Sequence, residues 1–125
     1  MQIQFNIDPN DSQYTIRSYV PGALKVNEQI YNKSIIISNT MLNDTWSPQC
    51  FDAIKPEHLD MLCEASPAII ILGTGEHQRF LKPELMQIIL AKGIGLECMT
   101  TLAACRTYNV LMSEQRHAVA GLLIR

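Results

Sequence analysis

The amino-acid sequence predicts an α/β fold: a central, partly parallel sheet preceded by an N-terminal β-meander. Three observations carry this. Residues 68–72, Ala-Ile-Ile-Ile-Leu, form a continuous apolar run rich in β-branched side chains, bounded by Pro67 and Gly73, as expected of a strand covered on both faces. A helical segment and then a second strand, residues 96–99, follow it. The first 38 residues alternate short β-rich runs with turn residues.

The elements follow in order. Residues 2–7 alternate polar and apolar side chains, which predicts a half-buried edge strand. Residues 8–12 form a turn cluster. Residues 14–20 read as a strand turned by Pro21-Gly22, residues 24–26 pair back, and Asn27-Glu28 turns again into Ile30 and Tyr31. Residues 34–38 hold Ile35-Ile36-Ile37, a core strand. Residues 41–52 read as irregular, with the single tryptophan, Trp46, anchoring the loop on the core. Pro56 opens a helix whose buried stripe is Leu59, Leu62 and Cys63.

The crossover helix begins at Pro83, places Leu85, Ile88 and Ile89 at helical spacing, and stops at Gly93. Thr101 is positioned to cap a last helix running to about Ser113. Residues 118–124 close the chain as a final strand. Strands 68–72 and 96–99 should be parallel, joined by a right-handed crossover. Their carboxyl ends, Gly73 and Thr100, then lie together, where ligands bind in open α/β sheets. A pocket should gather residues 73–80 and the start of the last helix. With no repeat, linker or low-complexity stretch, residues 1–125 read as one domain.

Composition excludes several classes. Apolar residues make up 47% and charged residues 18%, so the chain is not of the disordered type. A net charge of −2 argues against nucleic acid or anionic membrane as main partner. No apolar run approaches the roughly 20 residues of a membrane span. The first residues, MQIQFNIDPND, lack a basic segment followed by an apolar one and carry no arginine before Arg17, so the cytoplasm is the expected compartment. Cys50, Cys63, Cys98 and Cys105 contain no C-x-x-C pair and read as small buried apolar residues; neither a disulfide, a metal nor a cofactor is expected.

Two motifs invite chemistry. Gly73-Thr74-Gly75 starts like a dinucleotide-binding turn, but the third glycine position holds Gln78, and no Gly-Lys pair makes a phosphate loop. A tight turn is the plainer reading. On the last helix, Leu102, Cys105, Arg106, Asn109 and Ser113 share one sector, opposite Ala104, Tyr108, Leu111 and Met112, the expected core face. A thiol beside an arginine near a helix N-terminus is biased toward thiolate, and His77 is the base that the fold would bring near. The plainer reading is a half-buried cysteine with the arginine on a backbone carbonyl. The candidate cleft residues are therefore Gly73, Thr74, Gly75, Gln78, Thr101, Cys105, Arg106 and Asn109, with Arg106 and free helix N–H groups expected to favour an anionic group.

LGTGEHQRF, and then GIGLECMTTLAACRTYNVLMSEQR, resemble the Mth938-like domains of bacteria and archaea, whose eukaryotic relatives include NADH:ubiquinone oxidoreductase complex assembly factor 3. The resemblance spans nearly the whole chain, and the run Ala103-Ala104-Cys105-Arg106-Thr107-Tyr108-Asn109 is its most specific part. The family often has proline where this chain has Leu102 and glycine where it has Gln115. The resemblance implies a three-layer α/β fold with a central mixed sheet, and it implies no established enzymatic activity for the bacterial members. It points to a protein-binding domain, acting as an assembly factor for a membrane complex of the respiratory type. The rival reading is a small-ligand binder or enzyme using the cleft at Gly73–Gly75 and Cys105/Arg106. A third is a domain that associates with itself as a homo-oligomer.

Overall fold

A computed structural model describes residues 3–4 and 13–125. The N-terminal strands β1 (Ile3–Gln4), β2 (Ile16–Val20), β3 (Ala23–Val26) and β4 (Gln29–Tyr31) form an antiparallel sheet in the order β1-β2-β3-β4. This is the expected meander, with β1 at its edge. The remainder of the edge strand read at residues 2–7, and the turn at 8–12, lie outside the described residues. Asn27 adopts a φ of 52° in the β3–β4 turn, a conformation asparagine tolerates better than most residues.

The second sheet has five strands: β5 (Ile35–Ser38), β6 (Leu42–Asn43), β7 (Ile69–Gly73), β8 (Gly95–Met99) and β9 (Ala118–Leu122), in the order β6-β5-β9-β7-β8. Helices α1 (Pro56–Cys63), α2 (Pro83–Leu90) and α3 (Thr101–Ser113) connect them. β7 and β8 pair in parallel as direct neighbours, as their apolar runs predicted, with α2 as the crossover. β9 enters between β5 and β7, antiparallel to the first and parallel to the second. The sheet is therefore mixed. Residues 41–52 are less irregular than expected: β6 pairs with Ile36 and Ile37, and a short 3-10 turn covers Phe51–Ala53. Two residues of strand leave too little alternation for a sequence pattern to register.

Strict alternation along the strands divides the core. Ile35, Ile37, Ile71, Ala118, Ala120, Leu122 and Ile124 face one side, where they meet α3 and the meander residues Ile16, Tyr19, Leu24 and Val26. Ile36, Ile70, Leu72, Val119 and Leu123 face the other, where they meet α1, α2 and Trp46. The result is three layers: α1 and α2, the central sheet, and α3 together with the meander. Trp46 is buried, as an anchor should be; its indole N–H donates to the His58 carbonyl at 3.1 Å. The cysteines do not all follow expectation. Cys63 and Cys105 are buried, but Cys50 is exposed and Cys98 half-buried, because Cys50 precedes the surface 3-10 turn and Cys98 lies on edge strand β8.

α3 ends at a backbone position made for glycine. Gln115 has a φ of 58°, its N–H bonds the Met112 carbonyl, and the Arg116 N–H reaches the Leu111 carbonyl, closing the helix end. This accounts for the glycine that the resembled family prefers here. Gln115→Gly should stabilise the protein by about 1 kcal/mol, raising the thermal midpoint by roughly 3–5 °C, because a left-handed conformation burdens every side chain but glycine's. Differential scanning calorimetry of the two proteins checks this; an unchanged or lower midpoint would contradict it.

Candidate functional site

The carboxyl ends of β7 and β8 meet the first turn of α3, as the topology required. The turn after β7 is tied down there by a dense set of bonds. Thr74 donates its N–H to the Met99 carbonyl at 2.8 Å, and its hydroxyl reaches the His77 carbonyl at 2.6 Å. Gly75 takes a φ of 99° and exchanges two bonds with Thr101: the Thr101 N–H donates to the Gly75 carbonyl, and the Gly75 N–H donates to Thr101 Oγ1, both at 2.9 Å. Thr101 Oγ1 in turn donates to the Leu123 carbonyl at 2.6 Å, and the Leu123 N–H donates to the Gly73 carbonyl at 3.0 Å. Gly73, Thr74, Gly75 and Thr101 are thus brought together, chiefly as a brace joining β7, β9 and α3.

Thr101 was expected to cap α3, but Thr100 does so, accepting the Ala103 N–H on its hydroxyl at 3.3 Å. Thr101 is the first helical residue, and its hydroxyl is committed to the brace. Leu102 occupies the first turn, where a helix accepts proline readily. The helix N-terminus is not the open set of donors that the sequence suggested. The Thr101 and Ala103 N–H groups are engaged by Gly75 and Thr100, and the Ala104 N–H bonds the Thr100 carbonyl at 2.8 Å.

The remaining candidates separate. Cys105 is 0% exposed, packed with Tyr19, Tyr108 and Ile16 in the core between α3 and the meander. Burial pushes its thiol well above the usual cysteine range. The nucleophile reading of Cys105 is therefore corrected: this thiol stays protonated and has no access to solvent. The buried residues of α3, Thr101, Ala104, Cys105, Tyr108 and Met112, share one face, and Cys105 lies only about 20° from Met112 around the helix, inside the core stripe rather than opposite it. Arg106 is exposed, lies outside the cavity described below, and makes no ion pair among the described residues; Glu114 pairs with Arg116 instead, at 3.9 Å. Asn109 serves the architecture. Its Oδ1 accepts the Ile16 N–H at 3.3 Å and its Nδ2 donates to the Ile16 carbonyl at 2.9 Å, beside the irregularity in the β2–β3 register.

The loop after Gly75 leaves the cleft. Gln78 Nε2 donates to the Cys98 carbonyl at 3.2 Å, and Arg79 lies 4.6 Å over the Phe51 ring while pairing with Asp52 at 2.7 Å. His77 is exposed, and Phe80 is 70% exposed. The far part of the predicted 73–80 cluster thus runs toward the α1 side of the sheet.

What does form at the strand ends is a small cavity of about 220 Å³, lined by Tyr19, Val20, Pro21, Gly75, Glu76, Thr100 and Leu102. Its outer wall is the β2–β3 turn, which sequence reasoning missed. The turn is held there by the Gly22 N–H donating to the Ile124 carbonyl at 2.8 Å and by the Tyr19 hydroxyl donating to the same oxygen at 3.1 Å. Burial first, then the neighbouring Cys105 and Glu76, pushes the Tyr19 phenol up to about 12, so it remains a donor at neutral pH. A wider depression of about 860 Å³ lies at the opposite end of the sheet, with Ser38, Thr40, Glu64, Arg116 and His117 among its lining. Among the described residues, no group of three His, Cys, Asp or Glu side chains could hold a metal ion.

The family described as "Protein of unknown function (DUF498/DUF598)" matches residues 16–123. The chain belongs to this family. It is 33% identical over 102 residues to the "13 kDa major membrane protein" of Francisella tularensis subsp. holarctica, covering 81% of this chain and 83% of that protein. It is 28% identical over 111 residues to "NADH dehydrogenase [ubiquinone] 1 alpha subcomplex assembly factor 3" of Xenopus tropicalis, covering 86% of this chain but only 60% of that protein. Among solved structures, a Bordetella parapertussis protein superposes with a TM-score of 0.86 at 34% identity, covering 94% of this chain and all of that one. A Mth938-like domain of Bordetella pertussis superposes at 0.81 with 29% identity, covering 98% and 92%. The DUF498/DUF598 fold is thus the three-layer arrangement described above. No helix among the described residues is long and apolar enough to cross a membrane.

Proposed function

We propose that this DUF498/DUF598 domain is a non-enzymatic protein-binding module acting in the assembly of a membrane complex, and that it binds through the surface around the β2–β3 turn and the start of α3. The make-up of the cavity carries the reading. Its walls are mostly apolar, the Tyr19 hydroxyl donates to Ile124, the Thr100 oxygen caps α3, and the nearest thiol, Cys105, is sealed in the core. Such a recess suits an anchoring side chain of a partner better than a reacting substrate. The assembly role comes from likeness to proteins named as assembly factors, which this chain matches over most of its length. A cytoplasmic location belongs to the same proposal. The small-ligand or enzyme reading has less to stand on, because Cys105 and Arg106 do not share the cleft.

The test is affinity capture from native lysate followed by cross-linking and mass spectrometry, with wild type and Leu102→Arg compared. Subunits or assembly intermediates of a membrane complex should be enriched with wild type, cross-linked near the β2–β3 turn, and depleted with the variant. Recovery no greater than from an untagged control, or equal recovery with an equally stable Leu102→Arg, would refute the reading.

A further inference from the structure

We infer that the cavity between the β2–β3 turn and α3 takes a single basic side chain, arginine by preference, presented by the partner protein. The inference rests on the protein-binding reading and specifies what that surface recognises. Size comes first. At about 220 Å³ the cavity falls below the roughly 300–1,000 Å³ typical of small-molecule sites, but it is large enough to receive one long side chain.

Charge decides which one. Among the lining residues only Glu76 carries a full charge at neutral pH. It makes no ion pair among the described residues, where the ion pairs join Arg79 to Asp52, Lys92 to Asp60 and Arg116 to Glu114. Several polar groups beside it are already engaged: the Thr100 oxygen accepts the Ala103 N–H, the Tyr19 hydroxyl donates to Ile124, and the Thr101 and Ala104 N–H groups are held by Gly75 and Thr100. An anion would face the Glu76 carboxylate, whereas a cation would pair with it.

The remaining wall is hydrocarbon: Val20, Pro21 and Leu102. An arginine packs its methylene stem on such a surface while its planar fork reaches the carboxylate. Arginine is also among the residues enriched at anchoring positions of protein interfaces.

The test uses the intact protein and two short peptides, one with a central arginine and one with citrulline, which has the same shape without the charge. Amide chemical shifts are followed during titration. The arginine peptide should shift Gly75, Glu76 and Leu102, and bind about fivefold tighter than the citrulline peptide, near the upper end for an exposed ion pair. Glu76→Gln should bring arginine affinity down to the citrulline level and leave citrulline affinity unchanged. High salt should narrow the gap between the peptides. Equal binding of the two peptides, an unaltered arginine affinity in Glu76→Gln, or shifts confined to other surfaces would overturn the inference. The titration needs no native partner. If no partner is captured from lysate, the protein-binding reading fails by itself; if a partner is captured normally by Glu76→Gln, only the basic-anchor inference falls.

Discussion

Trp46→Ala should cost about 3–5 kcal/mol of stability, the range seen when a large buried aromatic is truncated in a core. Trp46 is 1% exposed and sits in the layer formed by α1, α2 and the outer face of the central sheet. It comes from a loop, so its packing is what fixes that loop. The ring also lies edge-on to His58, with centroids 6.5 Å apart and planes at 84°. His58 is itself held in place: Nδ1 accepts the Lys55 N–H at 2.9 Å, leaving the neutral ring's Nε2–H to donate to Ser47 Oγ at 2.9 Å. Removing the indole opens a cavity, orphans a hydrogen bond to the His58 carbonyl and loosens the start of α1.

A residue on β9 makes this prediction sharper. A Cβ on Gly121 would lie 2.8 Å from Trp46 Cη2 and 2.9 Å from Leu62 Cδ2. Gly121→Ala should therefore cost about 1–3 kcal/mol through overpacking. In the Trp46→Ala background the contacts with the indole are gone and Leu62 has space to yield, so the two losses should be clearly less than additive. Denaturant unfolding followed by far-ultraviolet circular dichroism reads all four proteins. Strict additivity, or a Trp46→Ala protein within 1 kcal/mol of wild type, would refute the account; so small a loss would mean that the core closes over the indole's place.

How far the sequence could anticipate this molecule depended on whether a signal was local. The runs at β7 and β8, the proline at the start of α2 and the tryptophan anchor are local signals, and each led to the right element. The brace was partly legible as well, because two parallel strands bring their carboxyl ends together whatever the side chains are. Cys105 and Asn109 were misread for a physical reason. Cys105 sits at the border between the two sectors of the wheel, on the same face as Ala104, Tyr108 and Met112, so dividing the helix into two halves put it on the wrong side. The sector carrying Cys105 and Asn109 is covered by β2, whose residue Ile16 is 93 positions away from Asn109 in sequence. Nothing near position 109 announces that contact. The cavity's outer wall was hidden in the same way, since the Pro21-Gly22 turn reveals a reversal of the chain but not what the turn leans on. The one usable hint was Gln115, where the departure from a glycine preference marked a real left-handed position.

Thr101→Val should cost about 2–4 kcal/mol although the two side chains have nearly the same shape. Thr101 is fully buried, and its hydroxyl both accepts from the Gly75 N–H and donates to the Leu123 carbonyl. Valine fills the volume but leaves that N–H and that carbonyl without partners, and each buried orphan costs about 1–3 kcal/mol. Thr101→Ser keeps the hydroxyl and removes one methyl, so it should lose only about 1 kcal/mol. This ordering separates a hydrogen-bonding role from a packing role, which would make serine the worse substitution. Hydrogen exchange gives a second, local readout. In Thr101→Val the Gly75 amide should exchange markedly faster, because its acceptor is gone. The Leu123 amide, bonded to the Gly73 carbonyl, should loosen with it as β9 separates from the turn. Ile71, in the middle of β7, should change only as much as global stability does. A Thr101→Val protein as stable as Thr101→Ser, with Gly75 still protected, would show that the α3 hydroxyl does not hold the two strand ends together.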